Sequence, residues 1–168
     1  MVTSRTRCRS RARSSACGFT LIEALVTVAM LVILLAIAAP SMSAFLASQR
    51  VRSSSFDVYA GLIYARSEAI KRHANVTLVA STTDWSGGWT VQDGGGNVLR
   101  TQDPLKGVTV TSNAAELTYR LDGRLAAGSA LVIVESQTGA DTVGRRCLTI
   151  DTTGLPRSRV LTGSATCT

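Results

Sequence analysis

The sequence predicts an α+β fold: one long N-terminal helix carrying an antiparallel β-sheet head. Three observations lead there. An apolar run from Phe19 to Ala39 has helical length and almost no polar residues. A second stretch, reaching about Arg72, keeps helical spacing. From Asn75 onward the pattern changes to short runs of β-branched residues separated by glycine-rich turns.

The first helix segment sets the organisation. Of the 21 residues from Phe19 to Ala39, only Thr20, Glu23 and Thr27 are polar. That length suffices for a helix to cross a hydrocarbon core. Arg5, Arg7, Arg9, Arg11 and Arg13 precede it with no acid among them. The positive-inside rule keeps this basic end in the cytoplasm and sends the rest of the chain across the membrane. Two residues are odd for a plain anchor. Gly18 offers a small-residue cleavage point directly before the apolar run, and Glu23 is costly inside it unless paired. Cleavage after Gly18 would free an α-amine on Phe19, a cationic partner for Glu23 of a neighbouring copy. A signal peptide cut after Ala36-Ile37-Ala38, or a simple single-span anchor, leaves Glu23 and the Gly18-Phe19 junction without a role. A lipoprotein reading of Cys17 fails because no apolar run precedes it.

Gly18-Phe19-Thr20-Leu21-Ile22-Glu23, between a basic leader and an apolar helix, resembles the prepilin signature of type IV pilins and type II secretion pseudopilins. The resemblance implies cleavage between Gly18 and Phe19 by a prepilin peptidase, N-methylation of the new terminus, and extraction into a filament in which Glu23 meets a partner's amine. The expected division is a leader over 1–18, a transmembrane and filament-core helix over 19–47, and a periplasmic head over 48–168.

Composition narrows the classes. The 168 residues carry a formal charge of +7, but five of the 18 basic residues lie in the leader. The remaining chain holds 13 basic and 11 acidic groups, so bulk charge gives no argument for nucleic acid, and only local clustering can. After the anchor, roughly 115 to 120 residues remain, which suits one small domain. Cys8 and Cys17 belong to the leader. Cys147 and Cys167 remain, and in an oxidising compartment they read as one disulfide. It would close a loop of about 20 residues, stabilising by ~3 kcal/mol in the chain-entropy view. No metal is expected: two distant sulfurs and the single histidine, His73, do not make a zinc site.

Along the chain, Pro40 is expected to kink the helix. Beyond it, Phe45, Phe56, Tyr59, Ile63 and Ile70 recur near helical spacing and suggest a packing face. Glu68 and Arg72 form an i,i+4 pair. A helix from Phe19 to Arg72 would be roughly 80 Å long. Gly61 marks an expected close approach. Strands are expected at Val76–Ser81, Gly88–Gln92, Asn97–Thr101, Val108–Ser112, Glu116–Leu121, Leu131–Glu135 and Arg146–Ile150. Leu117, Tyr119 and Leu121 should share a face, and the wholly apolar Leu131–Val134 should be central. Asp93-Gly94-Gly95-Gly96-Asn97 and Asp122-Gly123 supply turns.

Ala65-Arg66-Ser67-Glu68-Ala69-Ile70-Lys71-Arg72, then Val76-Thr77-Leu78, then Trp85-Ser86-Gly87-Gly88-Trp89, resemble the GspH/FimT group of minor pilins and pseudopilins. Leu117-Thr118-Tyr119 with Asp122-Gly123-Arg124-Leu125, and Arg145-Arg146-Cys147-Leu148-Thr149-Ile150, extend the likeness over nearly the whole chain after the leader. It implies a pilin-like fold, which agrees with the reading from the residues.

Chemistry concentrates at the C-terminal end. His73, at the expected helix end, reads as solvated rather than catalytic. Asp93-Gly94-Gly95-Gly96 lacks the lysine of a phosphate loop. Trp85 and Trp89 read as core. Arg145, Arg146, Arg157 and Arg159, by contrast, lie within 15 residues, against Asp141 and Asp151. Gly154 and Pro156 turn the chain between them, and the Cys147–Cys167 bridge would hold them as a fixed loop. Guanidiniums so presented suit phosphate oxygens in a salt-sensitive, sequence-independent way. FimT-type pilins are implicated in DNA uptake through a C-terminal Gly-Arg-x-Arg stretch. Gly154-Leu155-Pro156-Arg157 matches it at Gly154 and Arg157, with Leu155 in place of the first arginine.

The resulting expectation is a minor pilin at or near a type IV pilus tip, binding double-stranded DNA through Arg145, Arg146, Arg157 and Arg159. The alternative is a type II secretion pseudopilin. Either is structural rather than an enzyme and needs no cofactor. The expected partners are other pilins, the prepilin peptidase and the bacterial inner membrane.

Overall fold

The computed structural model describes residues 19–137, 144–162 and 165–167, the side chains of 38–40 excepted. The leader, with Gly18, and Asp141 lie outside the described residues. The chain divides into two compact units, Met1–Ala39 and Pro40–Thr168.

One helix, α1, spans Leu21–Arg72 and continues through Pro40. Its start is capped: the Glu23 amide donates to Thr20 Oγ1 at 3.3 Å. Thr20-x-x-Glu23 has the spacing of a capping box, and an acid in the first turn also complements the helix dipole. Within the first unit every described side chain from Phe19 to Ile37 is exposed, including Leu25, Ile33 and Leu35. No single helix among the described residues is long and apolar enough to cross a membrane alone, whereas Leu21–Ile37 taken with Ser41–Arg72 meets that test. At the far end, Glu68 accepts from Arg72 Nε at 2.6 Å and lies 3.5 Å from Lys71 Nζ. The Arg72 bond, ahead of the neighbouring positive charges, holds the Glu68 carboxyl below its usual range.

The second unit contains two four-stranded antiparallel sheets. The strands are β1 Val76–Ala80, β2 Trp89–Asp93, β3 Val98–Gln102, β4 Val108–Ser112, β5 Glu116–Tyr119, β6 Ala130–Ser136, β7 Arg145–Ile150 and β8 Pro156–Leu161. The first sheet has the order β3-β2-β1-β5 and the second β4-β6-β7-β8. Strand β6, which holds the wholly apolar Leu131–Val134, is internal, as expected, with β4 on one side and β7 on the other. Alternation drives burial: Val108 and Val110 of β4 are fully buried while Thr109 and Thr111 are not.

Both sheets and the second half of α1 close over one core. The helix contributes Val51, Val58, Leu62, Ala65 and Ala69, all at most 1% exposed. This corrects the expected packing face in part: Tyr59 packs against the core, and Ile63 is half-buried. Phe45, Phe56 and Ile70 are 56%, 70% and 44% exposed. The buried stripe is built from smaller side chains because the helix lies close against the sheets. Gly61 shows this, since a Cβ there would sit 2.8 Å from Trp89 Nε1. Leu121 is likewise corrected: it lies past the end of β5 and is 52% exposed, while Leu117 and Tyr119 are buried.

A short 3-10 turn, Trp85–Gly87, ties the sheets together. Ser86 Oγ accepts from the Val110 amide at 2.8 Å, and the Ser86 carbonyl accepts from Leu105 at 2.9 Å. Trp85 Nε1 donates to the Ala114 carbonyl at 3.0 Å, and the Trp85 and Trp89 rings lie 6.0 Å apart. Both tryptophans are core, as expected.

Candidate nucleic-acid interface

The four C-terminal arginines were expected on a clamped loop. They stand instead on two paired strands. Strand β8 lies outside the expected set, and its antiparallel pairing with β7 sets Arg145 opposite Leu161, Arg146 opposite Val160, Cys147 opposite Arg159 and Thr149 opposite Arg157. Side chains alternate across a sheet. Arg145, Arg157 and Arg159 therefore share the outer face with Cys147 and Thr149. Arg146 takes the opposite face, with Leu148 and Ile150, whose side chains enter the core. The sequence cluster is thus divided three to one.

On the outer face Arg157 and Arg159 are two residues apart on an exposed edge strand. Arg145 lies diagonally across from Arg159, a separation that long side chains span. Arg145 Nη2 also donates to the Ala165 carbonyl at 3.2 Å. Cys147 and Cys167 form a disulfide with Cα atoms 5.8 Å apart, fastening the segment after β8 to β7. Two acids temper the positive potential. Glu135 shares this face by the alternation of β6, which pairs Ile133 with Cys147. Asp151 sits in the β7–β8 turn, where hydrogen bonds from Thr153 come first, with the charge of Arg157 adding, and hold its carboxyl below the usual range.

The turn itself is tightly built. The Gly154 amide donates to the Asp151 carbonyl at 2.9 Å, and Gly154 has φ +77°. A Cβ at Gly154 would overlap the Gly123 carbonyl and come 3.1 Å from Tyr119 Cε1. Arg66, on α1, donates from Nε to that same Gly123 carbonyl at 2.9 Å and reaches the Thr153 carbonyl at 3.5 Å. One helix arginine thus ties together turns that follow strands of different sheets. The buried Tyr119 hydroxyl beside them has no hydrogen-bond partner among the described residues, and burial pushes its pKa up. Arg66 went unassigned in the sequence because helical position alone does not name a carbonyl partner. The glycine of the Gly154-Leu155-Pro156-Arg157 stretch has a structural task, and Leu155, 44% exposed, lies where the motif places an arginine.

The remaining sequence candidates lie elsewhere. Phe19 is 71% exposed and Glu23 stands in the first turn of α1, both in the first unit. His73, at φ +51°, follows the last residue of α1. No metal-binding cluster occurs among the described residues.

Residues 57–154 match the family model of the type II transport protein GspH, and residues 13–39 match the prokaryotic N-terminal methylation motif. No curated protein matches the chain. By structure it is similar to the type IV minor pilin FimU of Pseudomonas aeruginosa strain PAO1 in two crystal forms. In one the TM-score is 0.59 at 24% identity, covering 72% of this chain and 95% of that one. In the other it is 0.56 at 24% identity, covering 68% and 94%. The minor pseudopilin EpsH from the type 2 secretion system of Vibrio cholerae is also similar, with TM-score 0.51 at 12% identity over 69% of this chain and 99% of that one. These likenesses establish the fold, a long N-terminal helix followed by an antiparallel head.

Proposed function

Since the chain belongs to the GspH family of minor pilins and pseudopilins, we propose that it is a type IV minor pilin near the filament tip that holds DNA on the outer face of β7 and β8. The observation that carries this is the strand register, which gathers Arg157, Arg159 and Arg145 on one face at an exposed edge. Guanidiniums there meet phosphate oxygens in forked pairs. Three such contacts give weak binding in one copy, raised when several DNA segments or subunits engage together. Arg146, on the opposite face, has no part in it.

The test is titration of the full-length protein, in detergent, with a short duplex at two salt concentrations. The native protein is expected to bind, and added salt to weaken it. Arg157→Gln with Arg159→Gln should lower affinity about tenfold or more and flatten the salt dependence by about two contacts. Leu155→Arg, which completes the motif, should tighten binding. Absence of binding at low salt, or equal binding by the double variant, removes this reading. The second reading, a type II secretion pseudopilin, draws support from the description of the matched family. It predicts no loss of DNA binding on any of these changes.

The N-terminal part of the proposal concerns assembly. The chain carries a methylation motif and an apolar N-terminal helix, the marks of a membrane-anchored filament component. We place cleavage and methylation at the Gly18–Phe19 junction, the head in the periplasm, and the Glu23 carboxylate against the Phe19 amine of a neighbouring subunit. Glu23→Ala should leave processing intact, with a mature mass beginning at Phe19. Incorporation into sheared filaments should fall at least tenfold. Normal incorporation of that variant would leave Glu23 with only its position in the helix cap.

A further inference from the structure

Arg146, set apart from the other three arginines, lies in a groove between α1 and the β8 side of the second sheet. The groove has a volume of about 500 Å³ and is lined by Gln49, Arg52, Ser53 and Phe56 of the helix and by Arg146 and Ser158 of the sheet, among others. No carboxylate among the described residues lines it. Among the described residues Arg52 and Arg146 make no ion pair and no side-chain hydrogen bond, though they come from different elements. Exposed apolar surface adjoins them: Phe56 is 70% exposed, and Val160, opposite Arg146 in register, is 55% exposed. Strand β8 pairs with β7 on one side and with no described strand on the other.

From this combination we infer that the groove receives an extended acidic segment of a neighbouring protein subunit, laid along the free edge of β8. Each feature answers one part of such a ligand. A strand edge that pairs with no described strand offers main-chain donors and acceptors that a peptide satisfies and a nucleic-acid duplex does not. Alternate side chains of an added strand would point toward α1, where Phe56 and Val160 take apolar groups. Arg52 and Arg146 take carboxylates, which accept forked N–H pairs. Two positive charges lining one groove raise its potential, and an acidic occupant lowers it. This face is distinct from the outer face proposed for DNA, so the two assignments stand or fall separately.

The test uses the full-length protein in detergent with three fluorescent probes: an octapeptide with Glu and Val in turn at its odd positions and Ser between them (Glu-Val), the counterpart with Lys for Glu (Lys-Val), and a short oligothymidylate. The Glu-Val peptide should bind, and the Lys-Val peptide should bind at least tenfold more weakly. Arg52→Gln with Arg146→Gln should lower Glu-Val affinity about tenfold or more with an unchanged melting temperature. Arg157→Gln with Arg159→Gln should leave it within twofold. Bound peptide should also slow hydrogen exchange of the β8 amides. The inference is overturned if the acidic peptide fails to bind, binds the Arg52/Arg146 variant equally, or binds without protecting β8. It is equally overturned if the oligothymidylate is the probe whose binding Arg52 and Arg146 control.

Discussion

Substituting Gly154 by alanine is expected to destabilise the head by about 3 kcal/mol or more. Two costs combine. The backbone there has φ +77°, a conformation that side chains with a Cβ adopt only with strain. The new Cβ would also overlap the Gly123 carbonyl, a backbone atom already fixed by Arg66 Nε at 2.9 Å. Neither obstacle is the flexible end of a side chain, so relief requires one turn to move away from the other. Chemical denaturation followed by near-ultraviolet circular dichroism measures the loss. Leu155→Ala, one residue on and 44% exposed, should change stability by no more than about 0.5 kcal/mol. The contrast bears on function. Within the motif-like stretch the glycine shapes the turn, and any ligand contact belongs to the side chains that follow it. If Gly154→Ala proves neutral, the two turns are not locked together as described.

Removal of the Trp89 side chain should cost about 3–5 kcal/mol. The residue is 2% exposed, sits between Trp85 and the helix, and fills the space that Gly61 leaves open. Gly61→Ala alone should cost about 1–3 kcal/mol, because its methyl would press on the indole at 2.8 Å from Nε1. Combined with Trp89→Ala, the same methyl enters vacated space, and its helix preference over glycine turns in its favour. The double variant should therefore be more stable than the sum of the singles by at least about 1 kcal/mol. Strict additivity in a denaturation series would show that the helix does not approach the sheet through Gly61 and Trp89.

Much of the fold is legible in the residues. Seven strands fall within a residue or two of their expected positions because alternation and glycine turns mark them plainly. Asp93 illustrates a turn read correctly: its carboxylate accepts from the Gly95 and Asn97 amides at 2.9 and 3.0 Å. The eighth strand is missed for a physical reason. Pro156-Arg157-Ser158-Arg159-Val160-Leu161 opens with proline and alternates nothing apolar until its end, as suits an edge strand. Missing β8 also hides the division of the arginines. Strand parity alone separates Arg145 from Arg146, but it places Arg157 and Arg159 only once their strand is known. The helix face is misread through size. The bulkiest apolar residues, Phe45 and Phe56, stay outside, whereas Val51, Val58, Leu62, Ala65 and Ala69 make the buried stripe because a close-lying helix favours smaller groups. The partition of the strands into two sheets depends on long-range pairing, which no local pattern specifies.

The disulfide also has a mechanical meaning. Strand β8, with Arg157 and Arg159, lies wholly inside the covalent ring closed between Cys147 and Cys167. A tug on whatever the outer face holds reaches β8 first, and an edge strand held by one ladder of hydrogen bonds peels readily. Here peeling can proceed only until the ring is taut. Tension then passes through the sulfur bridge to β7, which β6 still holds along its other side. The ring thus limits how far the weakest strand can separate and hands the remaining load to a strand deeper in the sheet.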